Sequence, residues 1–362
     1  MSGLNGDNSL IMAMGATWKP MSRMSLMKLL CAVLIVVIHA KFTNAGHLGS
    51  VCFNMGQEGV CRIAVPFFFF AAGYFMSRHM GERGWYLREL SKRIRSIFIP
   101  GVIFLVAYIA ITYSLNFARG EQCWCMSDFG LDLRDTPLLV PVWFIRALMI
   151  IVAISPILWR VFGKAQFKVA LASLGILACG VLIARPYSDC GSSALYYFFN
   201  YGLSLEGVLY FSAGIFICRH PIPVPTKKTS LLLFVLGILL FGLKFITMYL
   251  GYSALAFRLG FLAIPITLVG LYFVIPNITL PVFLHNVSFP IYMIHFFILS
   301  AIGGRYGVKG DWGIIAYGGG LLLWSVRIAV ALVVSILFAH YVALYFPRLN
   351  AVLFGGRTVI KV

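Results

Sequence analysis

Apolar residues run almost unbroken over lengths that match a bilayer. Ten such stretches follow one another, at about residues 25–43, 60–77, 97–116, 139–159, 167–184, 197–218, 229–249, 255–275, 284–303 and 322–345. Each approaches the roughly 20 apolar residues that a helix needs to cross hydrocarbon. The pattern predicts an all-α fold, a polytopic membrane bundle of about ten transmembrane helices. Pro66, Pro156 and Pro290 fall inside these stretches. Such breaks survive in lipid where neighbours or a wet cavity satisfy the freed carbonyls. No internal repeat and no second, soluble domain is evident. Residues 1–22 are expected to form a mobile cytoplasmic tail, 23–347 the membrane domain and 348–362 a cytoplasmic C-terminal tail.

Composition sharpens the class. Of 362 residues, 61% are hydrophobic and only 11% charged, and the mean hydropathy is +0.93. No soluble domain of this length hides so much apolar surface. The formal charge of +18 would suggest nucleic acid in a soluble protein. Here it is explained by Lys and Arg retained on the cytoplasmic side of many spans.

The alternate connections bear this out. One set, from Lys19, Arg23 and Lys28 through the Arg78–Arg95 connection to Arg348, Arg357 and Lys361, holds eighteen cations. The other set holds seven (Lys41, Arg62, Arg119, Arg134, Arg185, Arg305 and Lys309) and most of the acids. Both termini are therefore expected in the cytoplasm, with an even number of spans between them. The first 20 residues lack a cleavable signal pattern, so the first span reads as an uncleaved anchor. Cys52, Cys61, Cys123, Cys125 and Cys190 fall on the side where disulfides persist. Five is odd, so one thiol is left free or pairs elsewhere; Cys52–Cys61, and Cys190 with either Cys123 or Cys125, are candidate bridges, and the sequence does not fix the pairing. No metal site is expected.

Ionisable groups inside spans are read as functional because lipid makes them costly. Lys28 and His39 lie eleven residues apart in the first run. On a helix they face within about 20° of each other, about 16 Å apart along the axis. The imidazole suits a general base or a transient acyl carrier, and the cation suits an anionic ligand. Lys92, Arg93 and Arg95 enter the third span and could grip phosphates or simply fix topology. Arg62 opens the second span, with Glu58 as a local partner. Arg146 falls inside the fourth. Glu206 is the carboxylate placed within a span, and it is expected to pair with Arg62, Arg146, Arg327 or His39. His295 is the second intramembrane histidine. His79, His285 and His340 read as structural, and no nucleotide-binding glycine loop, HExxH or GxSxG occurs.

Taken together, these stretches resemble the acyltransferase-3 family of integral membrane acyltransferases. The residues that carry the likeness are Lys28 and His39, Ala64-Val-Pro66-Phe-Phe leading to Gly73-Tyr74, and Lys92-Arg93-Ile-Arg95 leading to Pro100. Trp143-Phe144, Phe211 to Gly214 and Ser288 to His295 complete it. The likeness extends over about residues 22–358. Family members often have Arg at the Lys28 position.

The resemblance implies a bacterial inner-membrane enzyme that moves an acyl group, often acetyl, from cytoplasmic acyl-CoA to a hydroxyl of a cell-envelope saccharide or lipid-linked sugar. It implies that His39 is catalytic, that Lys28, Lys92, Arg93 and Arg95 meet the donor, and that Arg62, Trp143 and Arg146 shape the acceptor side. From the residues alone, Glu206 is added as a catalytic candidate and Tyr292 and His295 as acceptor-side candidates. An exporter or carrier of polysaccharide or lipid-linked sugar, without chemistry of its own, is the alternative. No nucleic-acid partner is expected.

Overall fold

A computed structural model describes residues 20–40, 56–57, 59–118, 142–188, 204–220, 222–281, 284, 286–302 and 321–356. The elements are α1 (Pro20–His39), α2 (Ala64–Ser77), α3 (Trp85–Arg93), α4 (Ile99–Ala118), α5 (Val142–Leu158) and α6 (Phe167–Ser188). They continue with α7 (Leu205–Arg219), α8 (Lys227–Tyr249), α9 (Ser253–Val274), α10 (Ser288–Ala301), α11 (Leu321–Tyr345) and α12 (Pro347–Phe354). A helix lies at each of the apolar runs. Among the described residues, five helical stretches are long and apolar enough to cross a membrane: Trp85–Ile111, Val142–Lys164, Lys227–Tyr249, Ser253–Val274 and Leu322–Tyr345. This is the architecture of a helical integral membrane protein.

The surface agrees. On α8, Leu232, Leu239 and Ile246 are 69%, 65% and 57% exposed. Seven-residue spacing places them on one stripe, and in water such a stripe would be an aggregation surface. Hydrocarbon removes that cost. Between helices, where lipid supplies no hydrophobic drive, small residues permit close backbone approach. A Cβ on Gly73 of α2 would lie 2.1 Å from the Phe211 carbonyl oxygen of α7, and one on Gly214 of α7 would lie 2.2 Å from that of Phe70. Gly207 meets Phe69 as Gly73 meets Phe211, so α2 and α7 run parallel. Helices α8 and α9 form an antiparallel hairpin, with Gly237 against Thr267 and Gly270 against Phe234. Gly251 turns it at φ +85°.

The prolines do less than expected. Pro290 occupies the first turn of α10, where no intrahelical bond is lost, and Pro66 follows the 3-10 turn Cys61–Ile63 that leads into α2. Pro156 is interior to α5, and so is Pro265 to α9. After Pro156 the chain passes into a π-helical segment, Trp159–Lys164.

Two short helices were not anticipated. Helix α3 is tied to α5 by Tyr86, whose hydroxyl donates to the Ala153 carbonyl at 3.0 Å. Helix α12 packs beside α4, with Phe354 fully buried and its ring centroid 6.0 Å from that of Phe104. Part of the segment expected as a C-terminal tail is thus helical. Residues 1–19 and 357–362 lie outside the described residues. So do Cys52, Cys123, Cys125, Cys190, Glu58 and His285. Cys61 is buried; the pairings considered for it and for Cys190 involve residues outside the described ones.

Candidate active site

The last turn of α1 carries His39 and packs on α10. His39 Nδ1–H donates to the Ile35 carbonyl at 2.7 Å, and His295 Nδ1–H donates to the Ile291 carbonyl at 2.9 Å. A neutral imidazole has one N–H, so these bonds assign the proton to Nδ1 in both rings and make each Nε2 the acceptor. His295 Nε2 lies 3.4 Å from His39 Nδ1, with ring centroids 5.2 Å apart. The lone pair of one imidazole therefore faces the N–H of the other. Should His39 Nε2 take up a proton, the resulting imidazolium keeps two acceptors at Nδ1. His295 is fully buried, and His39 is half-buried.

The carbonyls that end α1 run short of backbone donors: the Ala40 amide is shared between Val36 and Val37 at 3.0 and 3.2 Å, and side chains add the rest. Gln57 Nε2 donates to the Val37 and Ala40 carbonyls at 2.8 and 3.1 Å, and Trp324 Nε1 donates to Ala40 at 3.3 Å. These bonds fix the turn that presents His39. Aromatic rings close the rest. Phe296 meets His39 edge-on at 6.0 Å between centroids, and Tyr292 lies 6.2 Å from His295. Phe144 stands 5.8 Å from Tyr292, 4.7 Å from Phe69 and 6.4 Å from Trp143. The structure thus links Trp143, Tyr292, His295 and His39 through Phe144. Gln57, Trp324, Phe144 and Phe296 were missed as site residues. Trp143-Phe144 was visible as a motif; Gln57 and Trp324 carry no sequence signal of their own.

Lys28 stands at the opposite end of the α1 stripe, its Nζ 4.3 Å above the Phe75 ring. Lys92, Arg93 and Arg95 sit elsewhere, on α3 and the π-helical segment Ile94–Phe98, whose packing partners include α4, α5 and α12. Arg93 forms an ion pair with Glu89, which is only 4% exposed, whereas Lys92 and Arg95 are exposed. Arg23 and Lys227 line a cavity of about 260 Å³ with Phe273 and Pro276, a concentration of charge that the motifs did not include.

Arg62 is exposed on a 3-10 turn, Cys61–Ile63, that packs on α1. Arg146 is half-buried on α5. Glu206 lies in the first turn of α7, after the Ser204 cap whose Oγ accepts the Gly207 amide at 3.1 Å. A carboxylate there meets the positive end of the helix dipole, and Glu206 sits at the start of α7. Arg327, one of its expected partners, is 3% exposed on α11, and its Nη2 makes no hydrogen bond. Among the described residues no carboxylate pairs with Arg327, and no three His, Cys, Asp or Glu side chains gather as a metal site.

The arrangement is a proton-accepting imidazole held in a fixed tautomer, with a cation further along the same helix. The chain is similar to the succinoglycan biosynthesis protein ExoH of Rhizobium meliloti (strain 1021), at 26% identity over 209 residues, which are 52% of this chain and 55% of that protein. The match thus spans about half the length of this relative. No solved structure matches the chain. A family model described as an acyltransferase domain matches residues 21–340, and the chain therefore belongs to the acyltransferase-3 family.

Proposed function

We propose that the protein acylates a cell-envelope polysaccharide or lipid-linked sugar, taking an acyl group, acetyl or a close relative, from acyl-CoA on the cytoplasmic side. The surplus of cations at the Arg23 end of α1 puts that end in the cytoplasm, with about ten crossings of the bacterial inner membrane and both termini inside. The relative's part in succinoglycan biosynthesis favours a polysaccharide acceptor. The observation that carries the reading is the His39–His295 pair with Lys28 on the same stripe.

His39 Nε2 takes the proton of an acceptor hydroxyl as the oxygen bonds to the thioester carbon. The carbon–sulfur bond then breaks, and the departing thiolate recovers the proton from the His39 imidazolium. His295 faces Nδ1 and supports that imidazolium. Lys28, with Lys92 and Arg95, meets the phosphates of the donor, and Arg93 reaches it with its charge already balanced by Glu89. Trp143, Tyr292, Arg62 and Arg146 form the acceptor side, and Glu206 orders charge near it.

The test is a reconstitution in vesicles with labelled acetyl-CoA outside the Arg23 face and envelope saccharide on the other. Thiol release matched by label esterified to saccharide is expected. Saccharide movement without thiol release would replace the enzyme with a carrier.

A further inference from the structure

Helix α1 carries cations on two faces. Lys28 shares the His39 stripe, whereas Arg23 in the first turn points about 160° away from His39 around the helix. Arg23 lines the cavity of about 260 Å³ together with Lys227, which opens α8, and with Val224, Phe273, Val274 and Pro276. The cavity therefore lies where the start of α1 meets both chain ends of the α8–α9 hairpin, and α1 packs on α9 directly. Tyr272, beside Phe273 on α9, is within electrostatic reach of Arg23, so this charge is turned towards the hairpin.

The surroundings select the ligand. Two cations from different helices suit an anion, with arginine offering a planar N–H fork to phosphate and lysine a point charge. The rest of the lining is apolar, which gives nothing to a small hydrated anion but accommodates the ester end of a lipid. From Lys227 an exposed apolar stripe of Leu231, Val235 and Ile238 runs along α8 at helical spacing, the face on which an acyl chain would lie. The volume is below the roughly 300–1,000 Å³ of pockets that enclose small molecules, and Arg23 faces away from His39. Neither size nor direction suits the nucleotide end of a thioester donor.

We infer that the Arg23–Lys227 cavity holds the phosphate of an anionic phospholipid of the cytoplasmic leaflet, whose acyl chains follow the exposed face of α8. Basic pockets between membrane helices on the cytoplasmic side suit such headgroups. Bridging Arg23 and Lys227, the lipid fastens the start of the His39 helix to the hairpin. The choice of leaflet follows the orientation proposed above, and the acyl-transfer chemistry does not enter.

The experiment measures phosphatidylglycerol and phosphatidylcholine binding to delipidated full-length protein in non-ionic detergent by native mass spectrometry, with Tm read for each lipid and for inorganic phosphate. Wild type is expected to bind phosphatidylglycerol about tenfold or more tighter than the zwitterionic lipid and to gain Tm with it, while inorganic phosphate shifts nothing. Arg23→Gln and Lys227→Gln should each weaken phosphatidylglycerol about fivefold, and the two together about 25-fold. The charge-matched pair Lys164→Gln and Lys168→Gln, at exposed positions, should bind as wild type does. If the double variant does not fold, Lys227→Gln alone, at an exposed position, carries the comparison. Equal affinity for the two lipids, or an equal loss in the Lys164 and Lys168 pair, overturns the inference. A Tm gain with inorganic phosphate as large as with phosphatidylglycerol makes this a free-anion site, and displacement of the lipid by CoA gives the cavity to the donor; either result overturns it too. Failure of acyl transfer in wild type would leave all these outcomes as they are.

Discussion

Helices α1 and α10 bring two imidazoles together within an apolar seam, whereas α8 and α9 meet through glycines. In the first pair, the two imidazoles are each anchored to a carbonyl one turn earlier and face one another at 3.4 Å. In the second pair, Gly237 and Gly270 bring backbones together, and the outer face of α8 is an exposed apolar stripe. Glycine contacts hold helices at little electrostatic cost, because nothing charged leaves water. Buried imidazoles and guanidinium do carry that cost. The difference separates scaffold from site: damage to the hairpin should be read in folding, and damage to the histidine pair in chemistry.

The sharpest break of the scaffold is Gly237→Leu. Its Cβ would lie 2.1 Å from Thr267 Oγ1 and 2.9 Å from the Thr267 Cα, so the hairpin must part. A loss of about 4 kcal/mol or more is expected, seen as a collapse in the yield of monodisperse protein in detergent. Any protein that still folds should turn over normally. The matching change at the site is His295→Leu. It should leave yield intact and lower kcat about tenfold, within the range for groups that assist proton transfer, with KM unchanged. His295→Asn, which retains an acceptor, should lose less.

How far the sequence foresaw this division can be seen residue by residue. Lys28 and His39 were legible as one stripe because helix geometry fixes their relation within a single element. His39 and His295 were each legible as costly intramembrane groups. Their pairing was not, because 256 residues separate them and periodicity says nothing about partners in another helix. Glu89 and Arg93 stand at i, i+4 spacing, but the burial of Glu89 depends on α3 folding against α5. The closeness of α2 and α7 rests on Gly73 and Gly214, whose role appears only once the backbones touch. Helix α12 is two turns long, too short for its pattern to stand out from a polar tail.

Two smaller effects complete the series. Lys28→Gln should raise the KM for acyl-CoA about tenfold, in line with about 1.4 kcal/mol for a lost charged contact. Lys28→Arg should restore it, since the charge is kept and a bidentate fork is added. Leu239→Ala, on the stripe where Leu239 is 65% exposed, should change stability by less than about 0.5 kcal/mol. A larger change, measured by thermal unfolding in detergent, would mean that this face is covered by protein.

The most direct measurement of the central claim is thiol release from acyl-CoA by His39→Gln beside wild type, in the same vesicles with the same saccharide. Removing the base is expected to lower the rate about 100-fold or more while Tm stays within a degree or two of wild type. A His39→Gln protein that released thiol and esterified saccharide at the wild-type rate would contradict the account.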